Sequence, residues 1–345
     1  MTSRTRKNRL QDIAKHAGVG MATVDRVLNE RGGVSEKTAL RVLESAKALG
    51  TRRMLPQSSR RRLSIEAGMA RSPSAYYKRL NLALQSVNKF IDIPVTIYRT
   101  HIDVTQPEKL VRHIEKLADS RDGIILFASD LPQVARAIKA NIDKTIMVTI
   151  STDILDSGRH CYVGIDNFNA GQSAAKLSEA ICRKGGKVLV IRPETRAQAQ
   201  LQRYEGFRQF FEDRNLGDKL VSFQQDRVPS LALAQIASLL QSQSEIRVLY
   251  SPVNNNFMEL LVEAGRDEPA IRALAKIVHD LSPHSVANLR AGLIDIVLDS
   301  NPMQQVFKAL DFIARDHGYV SRKTMVDVDF QLYTSENLPR ADRSE

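Results

Sequence analysis

The sequence predicts two unlike parts: an N-terminal all-α headpiece, and a larger α/β body folded as two parallel-sheet lobes. Three observations predict this. Apolar residues recur at helical spacing across residues 10–49, with turn signals between them. From Leu63 onward, short apolar runs alternate with helical patterns, as in parallel sheets covered on both faces. The charge is also lopsided: residues 1–62 hold 15 Lys+Arg against 5 Asp+Glu, a net of +10 out of +11 for the whole chain. The other 283 residues therefore carry only +1. This divides the chain into a headpiece (1–50), a linker (51–62), a bilobed body (63–335) and a polar C-terminal tail (336–345).

In the headpiece, Leu10, Ile13, Ala14 and Ala17 form one helical stripe, which Gly18 ends at a sharp turn. Met21 to Asn29 makes a second helix with Val24, Val27 and Leu28 inward and Met21, Ala22, Asp25 and Arg26 outward. Arg31-Gly32-Gly33 breaks the chain, Ser35 caps a third helix, and Leu40, Leu43, Ala46 and Leu49 complete a small core. This is the pattern of a helix-turn-helix, whose second helix presents side chains to base edges and phosphates. The concentrated positive charge favours a polyanion by displacing condensed counterions.

The run DIAKHAGVGMATVDRVLNERGGVSEKTALRV resembles the headpiece of the lactose-repressor (LacI) family, matching at Asp12, Ala14, Ala17, Gly18, Val19, Thr23, Val24, Arg26, Val27, Leu28, Asn29, Val34, Ser35 and Thr38. The resemblance implies that Met21, Ala22 and Arg26 read bases and that Thr23, Asn29, Ser35 and Thr38 position the duplex backbone. Gly20 and Asp25 depart from the pattern, each replacing a serine. The first loses a hydroxyl contact to phosphate; the second brings a negative charge beside DNA, held off it by Arg26.

The linker GTRRMLPQSSRRR has Pro56, two serines and five arginines, a poor core segment but a good connector. It lacks the Leu-Ala pair by which the resembled family wedges a hinge helix into the minor groove. Arg60, Arg61 and Arg62 either track phosphates or form a solvated tether.

In the body, strands are expected at 63–70, 93–100, 122–129, 145–151, 187–193, 219–225, 247–252, 276–282, 294–300 and near 325–333. Helices are expected between them: 77–90, 107–119, 131–140, 168–184, about 197–214, 231–243, 257–265, 283–291 and 302–317. About ten strands exceed one comfortable sheet, and ligands in such folds bind at the carboxyl ends of strands. The segments VTISTDI…YVGIDNFNAGQSAA, VHDLSPHS…IDIVLDSNPMQQ and YTSENLP resemble the effector domain of the same family, of the ribose-type branch of periplasmic-binding-protein-like folds. That resemblance implies a sugar or polyol between the lobes.

Sugars need planar polar groups for their hydroxyls and an aromatic face for their C–H surface. Tyr76 and Tyr77 follow the first strand, where the family often places stacking aromatics; otherwise they pack on a helix. Ser151, Thr152 and Asp153 end the fourth strand. Arg203 matches the position of a ligand-clamping arginine, with a surface salt bridge as the alternative. Asn254, Asn255 and Asn256 end RVLYSP, of which Asn254 and Asn256 are candidate ligand contacts. Asp280 matches a ligand-binding carboxylate, and Ser300 and Asn301 end IVLDS.

No phosphate-cradling loop, dinucleotide fingerprint, H-E-x-x-H or nucleophile elbow is found, so no catalytic residue, metal or cofactor is expected. Cys161 and Cys182 are widely spaced and read as reduced thiols. No apolar run of 18 residues exists, and the basic N-terminus lacks an apolar signal segment, so a cytoplasmic protein that engages no membrane is expected. The reading is a homodimeric transcription regulator, most simply a repressor, that binds double-stranded operator DNA and is controlled by a small carbohydrate-like effector; a tetramer is also compatible. A ligand-blind DNA binder and a sugar-binding protein without a regulatory role are the alternatives.

Overall fold

The structure, a computed structural model, describes residues 3–29, 31–49, 61–71, 74–91, 93–224, 228–253, 256–319 and 328–339. Among the described residues the headpiece has three helices, α1 (Ser3–Ala17), α2 (Met21–Leu28) and α3 (Glu36–Ala48). Gly18 turns the chain between the first two at φ 60°, a conformation that costs a side chain with a Cβ dearly. Ile13, Ala14, Ala17, Val24, Val27 and Leu28 form the core as expected, joined by Val42, Leu43 and Ala46 of α3. Leu40 and Leu49 do not join it: each is 44% exposed. The buried stripe of α3 runs through Ala39, Val42, Leu43 and Ala46; Leu40 falls at its edge and Leu49 lies beyond the helix end.

Among the described residues the body has two sheets. The first, in order β2-β1-β3-β4-β5, comprises β1 (Leu63–Arg71), β2 (Val95–Asp103), β3 (Gly123–Phe127), β4 (Ile146–Ile150) and β5 (Cys161–Val163), all parallel. The second, in order β11-β10-β9-β8-β6-β7, comprises β6 (Lys187–Arg192), β7 (Leu220–Gln224), β8 (Ile246–Tyr250), β9 (Ala275–His279), β10 (Ile296–Asp299) and β11 (Gln331–Tyr333). β11 is antiparallel to β10, pairing Gln331 with Asp299. The central strands are apolar because helices cover both faces.

The covering helices of the first lobe are α4 (Ala75–Ser86), α5 (Pro107–Leu117), α6 (Pro132–Ala140) and, from far along the chain, α13 (Pro302–Asp316). Those of the second are α7 (Asn167–Ile181), α8 (Gln198–Glu212), α9 (Pro229–Ser242), α10 (Asn256–Ala264), α11 (Pro269–Arg272) and α12 (Pro283–Arg290). The sequence pattern does not reveal the short α11. The chain passes between the lobes after β5, after β10 and before β11, where Val328 bridges Ile165. Each sheet has a core of its own on one face, while a single apolar cluster containing Leu63, Ile65, Val148, Phe207, Tyr250 and Val306 joins the other two faces.

Arg61 and Arg62 act as anchors of the body. The Arg61 guanidinium forks onto Asp122, with one bond of 2.7 Å, and Arg62 donates to the Val95 carbonyl at 3.0 Å. This replaces the expectation of a free tether or phosphate tracker for these two; Arg60 lies outside the described residues. At the other end, Asn337 donates to the Leu332 carbonyl at 2.8 Å and Leu338 packs on the second-lobe core.

Candidate functional site

In the headpiece, Met21, Ala22 and Arg26 lie exposed on one face of α2. Gly20 precedes the helix in extended conformation and, having no side chain, supplies no side-chain cap. Thr23 is half-buried, its amide donating to the Gly20 carbonyl at 3.0 Å. Ser35 caps α3: its hydroxyl accepts from the Thr38 amide at 3.3 Å and meets the Thr38 hydroxyl at 2.9 Å. Asp25 is held by residues other than Arg26. Asn29 Nδ2 donates to its Oδ1 at 2.6 Å and Arg31 donates to its Oδ2 at 2.9 Å.

The second constellation lies between the lobes, at the carboxyl ends of the strands. Three non-glycine residues adopt left-handed backbone there, each soon after a strand: Ser151 (φ 68°), Asp280 (φ 65°) and Asn301 (φ 49°). Such conformations cost of order 1–3 kcal/mol each and persist where the surroundings over-determine them. Here they do: Ser151 N donates to Val163 O at 2.9 Å, Asp280 N to Leu298 O at 2.8 Å, and Asn301 caps α13 by accepting from Gln304 N at 3.2 Å. The effect is to turn side chains out of the sheets and toward one another.

A closed circuit of hydrogen bonds results. Tyr76 OH meets Ser151 Oγ at 2.6 Å, and Ser151 Oγ donates to Gln305 Oε1 at 2.7 Å. Gln305 Nε2 donates to the Ser300 carbonyl at 2.6 Å, and Ser300 Oγ donates to Asp280 Oδ1 at 2.6 Å. Arg203 donates to Ser300 Oγ at 2.9 Å, lies 3.5 Å from Asp280 Oδ2, and donates through Nε to Asn167 Oδ1 at 2.8 Å. Asn167 in turn donates to Tyr162 OH at 3.1 Å, which donates to the Ser151 carbonyl at 3.2 Å. Burial pushes the Tyr162 hydroxyl up to about 12 and raises that of Tyr76 further, so both remain neutral donors at ordinary pH.

Close helix packing aims Arg203 into this circuit. A Cβ on Gly171 of α7 would lie 2.0 Å from the Arg203 carbonyl, and one on Gly206 of α8 would lie 2.1 Å from the Phe168 carbonyl. The two glycines let the helix backbones touch, which brings Arg203 down onto Asn167 at the start of α7.

Five of the predicted residues, Tyr76, Ser151, Arg203, Asp280 and Ser300, thus meet in one circuit. Asn301 borders it as the α13 cap. Thr152 is buried and accepts from Ala199 N of the second lobe at 3.3 Å, a bond across the cleft. Asp153 instead braces its own loop. Arg159 forks its carboxylate, and Thr149 Oγ1 and Ile154 N each donate to it at 2.8 Å. Burial opposes its charge, but these donors hold its carboxyl below the usual range. Tyr77 packs into the first lobe, where its hydroxyl bonds His101 and its ring tilts on Phe127 at 6.3 Å. Asn254 lies outside the described residues, and Asn256 opens α10. Sequence reasoning missed Gln305, Asn167 and Tyr162. A signal existed for Gln305, one turn into α13 on its inward face; Asn167 needed only attention to the residue after YVGID.

His279 is not part of this surface. It lies fully buried beneath Asp280, bonded to Tyr250 OH at 2.9 Å, and burial drives its pKa far down, so it stays neutral. Among the described residues no helix is long and apolar enough to cross a membrane.

Two parallel-sheet lobes with a polar circuit between their strand ends, preceded by a helix-turn-helix unit, define the class: a bilobed α/β domain joined to a small helical headpiece. Residues 92–315 match the periplasmic binding protein domain model, and residues 9–51 match the lacI family of bacterial regulatory proteins. The chain therefore belongs to the periplasmic-binding-protein domain family and carries a lacI-family headpiece. It is 28% identical over 175 residues to the HTH-type transcriptional regulator RegA of Clostridium saccharobutylicum, covering 49% of this chain and 50% of that one. It is 23% identical over 221 residues to the HTH-type transcriptional repressor PurR of Histophilus somni, covering 60% and 62%. The matches thus span about half to three-fifths of the relatives' lengths. Among solved structures, the ABC transporter solute binding protein of Burkholderia graminis in complex with D-arabinose superposes with a TM-score of 0.68 at 18% identity, covering 80% of this chain and 96% of that one. This last likeness speaks for the fold.

Proposed function

We propose that this protein is a cytoplasmic, homodimeric transcription regulator whose α2 face reads operator DNA and whose cleft takes an uncharged sugar or polyol. Met21, Ala22 and Arg26 face the bases; Thr23, Asn29, Ser35 and Thr38 order the contact with the backbone of the duplex. Tyr76, Ser151, Thr152, Arg203, Asp280, Ser300 and Asn301 surround the effector, joined by Asn167 and Gln305; the segment after β8 adds Asn254 and Asn256 as candidates.

The observation that carries the reading is that the cleft is bonded to itself across the lobes. Arg79 of α4 donates to the Leu281 carbonyl at 2.9 Å and pairs with Asp299 at 2.5 Å. Gln198 donates to Asp130 at 2.7 Å, and Ala199 N to Thr152. A ligand that enters must exchange some of these bonds for its own and so shift the angle between the lobes, which is the two-state element that regulation requires. The charges favour a neutral ligand. In the circuit and beside it, Arg203 faces Asp280 and Arg79 faces Asp299, each cation matched by one anion. The N-termini of α4, α7, α12 and α13 are already capped by Ser74, Asp166, Ser282 and Asn301, leaving them little to offer a phosphate.

The test is a thermal-shift panel of pentoses, hexoses, polyols and their phosphate esters, followed by band-shift assays with and without the hits. A neutral sugar or polyol that raises Tm and alters DNA binding is the expected result. DNA binding indifferent to every stabilising compound would remove the regulatory reading and leave a ligand-blind binder.

A further inference from the structure

We propose that Asp25, clamped by Arg31 and Asn29, is a base-selecting acceptor on α2: it favours cytosine or adenine on the strand it faces and disfavours guanine and thymine. This rests on the DNA-binding reading above. The exposed face of α2 otherwise offers Met21, Ala22 and the cation Arg26, so a carboxylate there is out of keeping with a surface meant for a polyanion. The surrounding bonds give it a use. Asn29 Nδ2 donates both to Oδ1 at 2.6 Å and to the backbone carbonyl of Asp25 at 2.9 Å. Arg31 donates to Oδ2 at 2.9 Å, and its own backbone amide donates to the Arg26 carbonyl at 2.9 Å, folding the segment after α2 back against the helix. Among the described residues each oxygen therefore has one protein donor, the side chain is held in one orientation, and its charge is balanced by a neighbour on the same surface.

A carboxylate has about four lone-pair sites, so one donor per oxygen leaves room for another. In the major groove that donor is the N4 amine of cytosine or the N6 amine of adenine. Guanine presents only the acceptors N7 and O6, and thymine the acceptor O4 and a methyl group. An acceptor set against an acceptor gives up water and gains nothing in return. Asp25 lies one turn after Ala22 and beside Arg26, where a recognition helix meets base edges. Arg31 is then a positioning residue: it keeps the carboxylate charge-balanced and aimed.

The experiment is selection of duplexes from a randomised pool by the full chain, as the parent and as Asp25→Ser, Arg31→Ala and Arg31→Lys. The parent enriches cytosine or adenine at one position of each half-site. Asp25→Ser lowers that preference by about tenfold and leaves the other positions unchanged. Arg31→Ala lowers the same preference several-fold, and Arg31→Lys restores most of it. Both side chains lie on the surface, away from the core of Ile13, Val24 and Val42, so thermal transitions stay at the parent's value. Identical base preferences for the parent and Asp25→Ser overturn the proposal. A uniform loss across all sequences with Arg31→Ala, with a salt slope smaller by about one, makes Arg31 a phosphate contact and overturns its positioning role. Enrichment of no sequence by the parent overturns the DNA-binding reading itself, and this inference with it.

Discussion

The headpiece and the cleft each pair an arginine with an aspartate, but in opposite surroundings. Arg31 and Asp25 are 64% and 37% exposed, whereas Arg203 and Asp280 are 7% and 9% exposed. Water screens the first pair, so it adds little to stability and acts through where it aims a carboxylate. The second pair has been taken out of water, so each partner depends on the other and on the hydrogen bonds around it. Substitution of the exposed pair is therefore expected to cost little stability. The cleft is an interior that changes its stability and its binding together.

The sharpest way to break this contrast is Arg203→Ala. It strands the Asp280 carboxylate and opens the circuit through Ser300 and Asn167, so the body is expected to lose about 3–5 kcal/mol, read by urea unfolding, along with its effector response. A variant as stable as the parent would mean that the pair is no more consequential than its exposed counterpart.

Next comes Gly206→Ala. Its Cβ falls 2.1 Å from a backbone carbonyl, so α7 and α8 must move apart and carry Arg203 away from Asn167. A loss of roughly 1–3 kcal/mol is expected, with weakened effector binding by calorimetry. Unchanged effector affinity would show that the helix approach does not aim Arg203.

Arg26→Ala probes the other region. Operator affinity should fall by about 1–3 kcal/mol in a band-shift assay at fixed salt, while Tm and effector binding stay at the parent's values. A drop in Tm comparable to that of Arg203→Ala would erase the distinction between the two regions.

The smallest effect is expected from Arg61→Ala. The residue is 64% exposed, and its fork on Asp122 is worth at most about 1 kcal/mol. Because it anchors the body rather than the DNA, the salt slope of operator binding should not change. A slope reduced by one would return Arg61 to the phosphate-tracking role.

The two regions also differ in how far the sequence exposes them. In the headpiece, helix spacing places Val24, Val27 and Leu28 inward and Met21, Ala22 and Arg26 outward, because the whole unit is local and its core is built from neighbours in sequence. The misplacements are correspondingly small: Leu40 at the edge of a stripe, Leu49 past a helix end. In the body, the alternation of apolar runs and helical patterns suffices for the two parallel-sheet lobes, and the strand ends pick out Ser151, Asp280, Ser300 and Asn301. Position along the chain does not say which way a side chain turns: Asp153 bonds within its own loop, and Tyr77, in the first turn of α4, packs into the first lobe.

What the sequence by itself determined is thus what periodicity and composition encode: the helical stripes of the headpiece, the two-lobed α/β body, and the confinement of net charge to residues 1–62. Only the tertiary structure decided which polar groups become partners. Arg203 meets residues 36, 77 and 97 positions away, and Ser151 meets Gln305 across 154. Such pairings depend on chain crossings between the lobes, on two glycines that let α7 and α8 touch, and on left-handed backbone at Ser151, Asp280 and Asn301. Asn301 is held locally by its cap on Gln304, but the helix approach and the turns at Ser151 and Asp280 are fixed by contacts with separate segments, and no pattern along the chain carries that information.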